Sequence, residues 1–149
     1  MSTDLFALSD EILAGRAEID QHHPFSPSNQ LVEAGDGVAF VESFANVAAF
    51  STTDGLCLVD TGSLFAAPAI HAAVRSWSPD RLASAVYTHG HVDHVFGTAA
   101  FEEESATNGW EPARVVAHEL VHERFDRYVM TAGYNAVINQ RQFRVPGLK

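Results

Sequence analysis

Three histidines and a carboxylate fall within six residues, His89-Gly90-His91-Val92-Asp93-His94, in a chain with only eight histidines. The apolar, β-prone run at residues 83–87 leads straight into them, so a strand end must deliver the cluster to a tight loop. In extended chain, residues two apart share a face, so the imidazoles of His89 and His91 can approach one cation. Asp93 and His94 follow and can turn towards a second, offering a hard oxygen and a nitrogen. Gly90 lets the backbone pass close to the site with no side chain in the way, and Gly97 is placed to do the same at the next helix start.

The rest of the chain has to build a scaffold for that loop. Leu5, Leu8, Ile12, Leu13 and Ala17 recur at helical spacing, which predicts an amphipathic helix over residues 5–19 with Ser9 or Asp10 able to cap its central part. Residues 22–29 combine two histidines with two prolines and two serines, which is loop chemistry. Adjacent histidines point in divergent directions and nothing nearby completes a coordination sphere, so His22 and His23 read as solvent-exposed. Residues 1–30 thus form a helix-and-loop extension.

From Val38 the texture changes to short β-prone runs, and Asp54-Gly55 between two of them is a hairpin signal. A helix over residues 65–77, a strand over 82–87, a helix over 98–104, a strand over 113–117 and a long helix from about 120 towards 140 follow. Val121, Phe125, Tyr128 and Val129 form the apolar stripe of the last. A meander followed by strand–helix alternation predicts an α/β (α+β) domain, a mixed sheet with packed helices, and one domain over residues 1–149.

Composition removes several function classes. Nineteen acidic against nine basic side chains give a formal charge of -10, which repels nucleic acid and anionic membrane surfaces. The first residues lack a basic segment followed by an apolar stretch, and no run approaches a membrane span, so a cytoplasmic protein is expected. The single cysteine, Cys57, permits neither a disulfide nor a cysteine zinc cluster and reads as a buried strand residue.

The cluster resembles the His-x-His-x-Asp-His motif of the metallo-β-lactamase superfamily. Leu58-Val59-Asp60-Thr61-Gly62, ending an earlier strand, looks like the aspartate motif that family members place beside the metal site. The resemblance runs from about Phe40 to His118 and implies an αββα sandwich, of which this chain would be the amino-terminal half. It implies that His89 and His91 bind one metal ion, that Asp93 and His94 bind a second, and that Asp60 orients a ligand or water by hydrogen bonding. Two divalent ions, zinc by preference, would then activate water for hydrolysis of an ester-type small molecule: a sulfate ester, lactone, thioester or β-lactam. Asp93 would also orient the attacking hydroxide and share in proton handling.

The family's later ligands have no counterparts before Lys149. His118 is the local candidate for the missing position, beside Glu119, although a strand-end histidine bonded to a neighbour explains it better. His71 and His122 read as helix-surface residues. Tyr134, Asn135 and Arg141 loosely resemble a polar helix of the alkyl sulfatase branch. A half-sandwich exposes an apolar face, so self-association into a homo-oligomer is expected. The competing reading is a non-catalytic metal-binding or partner-binding domain that has kept the motif.

Overall fold

The computed structural model describes residues 4–18, 21–22 and 26–143. The elements in chain order are α1 (Leu5–Leu13), β1 (Leu31–Gly35), β2 (Val38–Val41), β3 (Val47–Thr52), β4 (Gly55–Val59), α2 (Ala67–Trp77), β5 (Leu82–Val86), α3 (Val92–Val95), α4 (Thr98–Asn108), β6 (Arg114–Val116), α5 (Val121–Met130) and α6 (Ala132–Phe143). The strands make one sheet in the order β1-β2-β3-β4-β5-β6. The first four form an antiparallel meander, and β5 and β6 then add in parallel, giving the expected mixed sheet.

Because β4, β5 and β6 advance in one direction, right-handed crossovers put α2 and α4 on the same face. There Ile70 and Val74 of α2 and Phe101 of α4 close over Ala39, Val41, Val47, Ala49, Leu56, Leu58, Leu82 and Ala85. Period-two alternation sends Phe40, Ala48, Phe50, Cys57 and Val59 to the opposite face, where they are only half-buried or exposed. Cys57 is therefore not the buried residue expected from its apolar neighbours. No helix among the described residues is long and apolar enough to cross a membrane.

Besides α3, a single turn that carries Asp93 and His94 where a tight loop was expected, three elements differ from the sequence reading. Helix α1 stops at Leu13, and its cap is Asp4, whose Oδ1 accepts from the backbone N–H groups of Phe6 and Ala7 at 3.1 Å each. Strand β1 was not expected; its signal was Asp36-Gly37, a second Asp-Gly turn between apolar pairs, with Gly37 at φ 68. The long carboxy-terminal helix breaks at Thr131, whose backbone N–H and Oγ1 both return to the Arg127 carbonyl, at 2.9 and 2.8 Å. A threonine bonding back to residue i−4 bends a helix.

Candidate metal centre

At the end of β4 the chain turns through Asp60 in a left-handed conformation, φ 58, which aspartate tolerates better than bulkier residues. Its N–H still bonds the Val86 carbonyl of β5 at 2.8 Å, so the turn starts from the sheet ladder. Asp60 is 5% exposed, and its carboxylate lies beneath the loop that follows β5. Oδ1 accepts from the Thr88 N–H at 2.8 Å, and Oδ2 accepts from Thr88 Oγ1 and His94 Nδ1, both at 2.7 Å. Thr61, fully buried, gives its N–H to the His94 carbonyl at 2.7 Å and its hydroxyl to the Val95 carbonyl at 3.0 Å.

That clamp requires close backbone approach. A Cβ on Gly97 would sit 1.7 Å from the Thr61 carbonyl oxygen, so only glycine allows α4 to begin where it does. The Gly97 N–H bonds the Gly62 carbonyl at 3.0 Å, as the sequence reading of Gly97 expected. The motif loop is thereby fixed to the ends of β4 and β5 from one side.

On the other side stands α5. His89 Nε2 and His91 Nδ1 face each other at 2.8 Å, and Arg124 Nη2 lies 3.0 Å from His91 Nε2. A guanidinium only donates, so His91 Nε2 carries the lone pair and Nδ1 the proton. The proton on His91 Nδ1 points at His89 Nε2, which leaves the His89 Nδ1 proton for Thr88 Oγ1 at 2.9 Å and the Thr88 hydroxyl for Asp60. One directed chain thus runs from Arg124 to the buried carboxylate. Burial, with His89 and Arg124 beside it, holds His91 below the ordinary histidine range.

Ligand atoms of Asp60, His89 and His94 lie within 4.8 Å of one another, a grouping that could hold a metal ion. Asp60 is the least available of the three, because its oxygens already accept three hydrogen bonds. By bonding His94 Nδ1 it leaves His94 Nε2 open, and that nitrogen sits 3.5 Å from Asp93 Oδ2. His94 Nε2 and Asp93 Oδ2 therefore form one open pair, whereas His89 Nε2 and His91 Nδ1 make a second pair joined by a hydrogen bond whose proton a bound cation would have to replace. Mixed imidazole and carboxylate donors suit a borderline divalent cation, so the residues fit such an ion.

The remaining candidates stand apart. His118 Nδ1 accepts the Leu120 N–H at 3.1 Å, the strand-end role expected of it, although its side chain lines the same cleft as His89 and His91. His122 and His22 are exposed, and His23 lies outside the described residues. His71 is not a free surface histidine: its Nε2 meets Glu104 Oε2 at 3.2 Å and its ring stands edge-on to Phe101 at 4.8 Å. Tyr134 is exposed, Asn135 bonds Thr131 at 3.1 Å and Arg141 is exposed on α6. Thr88 and Arg124 went unread in the sequence; Thr88 abuts the motif, whereas the contact of Arg124 is purely tertiary.

Among solved structures, a metallo-β-lactamase of Cronobacter sakazakii with an HARLDQ motif aligns with 74% of this chain and 39% of its own, at 22% identity and a TM-score of 0.56. BJP-1, a subclass B3 metallo-β-lactamase of Bradyrhizobium japonicum, aligns over 66% of this chain and 36% of its own, at 22% identity and 0.53. A double mutant of the sec-alkyl sulfatase PisA1 aligns over 64% of this chain and 16% of its own, at 25% identity and 0.51. The chain spans about two fifths or less of the length of these structures. No curated protein matches it. The family model described as the metallo-beta-lactamase superfamily matches residues 41–146, well over half of the chain, and the chain belongs to that superfamily.

Proposed function

We propose that this chain carries part of the site of a metal-dependent hydrolase acting on ester-type small molecules, among them sulfate esters, lactones, thioesters and β-lactams. The observation that carries the reading is the convergence of two neighbouring donor pairs, His89 Nε2 with His91 Nδ1 and His94 Nε2 with Asp93 Oδ2, beside a buried carboxylate that bonds His94. His89 and His91 would hold one ion and Asp93 and His94 a second, with zinc suited to both donor sets. Bound divalent ions supply Lewis acidity and a water acidified to near neutrality. Asp60 fixes the tautomer of His94 and holds Thr88, which in turn holds His89. Asp93, half-buried beside His94, would orient the attacking water and take up its proton. The likeness to two lactamases and a sulfatase supports hydrolysis as the reaction type.

Elemental analysis and thermal melts with added zinc test the reading. Zinc at about a hundred times its dissociation constant should stabilise the chain by roughly 2.7 kcal/mol. Replacing both His89 and His91 with alanine should remove most of the metal. A chain that holds no zinc and shows no shift in its melt is instead a partner-binding domain that has kept the motif.

A further inference from the structure

Beside the histidines opens a cleft of about 440 Å³, walled by His89, His91, His118, Leu120, Val121 and Arg124 among others. Among the described residues no acidic side chain lines it, although the chain has nineteen. We propose that Arg124 anchors an anionic oxygen-bearing group of the substrate in this cleft, so that the preferred esters carry a sulfate or carboxylate. The proposal rests on the hydrolase reading for what the anchored molecule is, but not for the anion site itself.

Three observations carry it. Among the described residues no carboxylate pairs with Arg124, as none does with Arg81, Arg114, Arg127 or Arg141, and what sets Arg124 apart is its place in the wall of the cleft beside the histidines. Its guanidinium is steadied by the Tyr128 ring at 5.3 Å and directed at His91 Nε2, a neutral acceptor and a weak substitute for an anion. The motif also leaves room for this side chain: a Cβ on Gly90 would lie 3.0 Å from Arg124 Cβ and 3.2 Å from its Cγ. A planar fork of donors left beside a cleft without carboxylates is suited to an oxyanion. In a chain of charge -10, a local cation is what an anionic substrate needs to approach at all.

Inorganic sulfate is the probe. Calorimetry on the zinc-loaded chain should show sulfate binding, and Arg124→Met should weaken it about ten- to a hundred-fold while zinc content stays unchanged. Arg124→Lys, which keeps the charge but not the fork, should recover part of the loss. Sulfate binding that is equally tight in Arg124→Met, as expected if the metal alone holds the anion, overturns the proposal, as does no sulfate binding by the native chain. A chain that takes up no zinc yet binds sulfate through Arg124 sinks the hydrolase reading and upholds the anion site.

Discussion

At Asp60 the motif loop meets buried backbone, whereas at Arg124 it meets a helix with no fully buried residue. On the inner side, Asp60, Thr61 and Thr98 are nearly inaccessible and each bonds into the loop or its flanks. On the outer side, Leu120 is 52% exposed, His118 is exposed and only half-buried side chains such as Val121, Arg124 and Tyr128 touch the site. Rigid, hydrogen-bonded supports hold ligands to a geometry, and loosely packed elements can shift. The inner wall therefore sets where a metal would sit, and the outer wall can change its shape around what binds.

The sharpest way to break this contrast is a methyl group on the inner wall. Gly97→Ala places a Cβ 1.7 Å from the Thr61 carbonyl oxygen, with backbone on both sides of the collision. Neither partner can step aside without tearing α4 from the end of β4. The expected cost is about 3 kcal/mol or more, read as a collapse of the melting temperature. A melt unchanged within 2 °C would show that the inner wall yields after all.

Next in size is Asp60→Asn. Asparagine tolerates the left-handed backbone, so the fold should survive. Its amide, however, offers one acceptor oxygen where three donors converge, and the NH₂ group confronts one of them. His94 or Thr88 loses its anchor, and zinc affinity should fall about ten- to a hundred-fold with little change in the melt of the metal-free chain. Unaltered affinity would make Asp60 a strand-end cap with no part in the site.

The inner wall was largely legible in the sequence and the outer wall was not. The resemblance of Leu58 to Gly62 to the superfamily's aspartate motif pointed to Asp60, and the close spacing of the His-x-His-x-Asp-His cluster pointed to its own four ligand candidates. Strand β1 was missed although Asp36-Gly37 signalled it, since Leu31-Val32 is followed by Glu33 and Ala34 rather than by further apolar alternation. The contact between Arg124 and His91 spans 33 residues and depends on where α5 docks, which no local pattern encodes. The break at Thr131 was hidden for a different reason. Threonine within a polar helical stretch is ordinary, and only its bond back to Arg127 shows the bend.

A smaller effect tests the layer behind the inner wall, where Glu104 of α4 accepts from Arg75 Nε at 2.9 Å and meets His71 at 3.2 Å. Burial opposes its charge, yet the hydrogen bonds from Arg75 and His71 hold its carboxyl below the ordinary value of 4.5. A carboxyl whose folded pKa is depressed stabilises the fold above its unfolded pKa, and the contribution is lost as pH falls through the folded value. Stability should hold down to about pH 5 and fall below it. Glu104→Gln should cost about 1 kcal/mol at neutral pH and flatten that acid limb. An acid limb of the same steepness in the variant would assign the loss to other carboxylates.

The smallest effect sharpens the comparison most, because it repeats the first experiment on the opposite wall. Gly90→Ala also adds one methyl group within the motif region, and its Cβ would meet Arg124 Cβ at 3.0 Å, Arg124 Cγ at 3.2 Å and the Val121 carbonyl at 3.2 Å. The distances are tight but not impossible, and all three atoms belong to a helix that buries no residue fully. If α5 gives by a few tenths of an ångström, the cost should stay under about 1 kcal/mol, a drop of roughly 2–4 °C in the melt of a chain this size. Zinc content should change little, because His94 and His89 are held from the inner side, by Asp60 directly and through Thr88. Arg124 would be displaced with its helix, and sulfate affinity should weaken while the metal stays. A Gly90→Ala chain as damaged as Gly97→Ala would mean that α5 is locked to the loop as firmly as α4 is, and the distinction between a fixed wall and an adjustable one would fail.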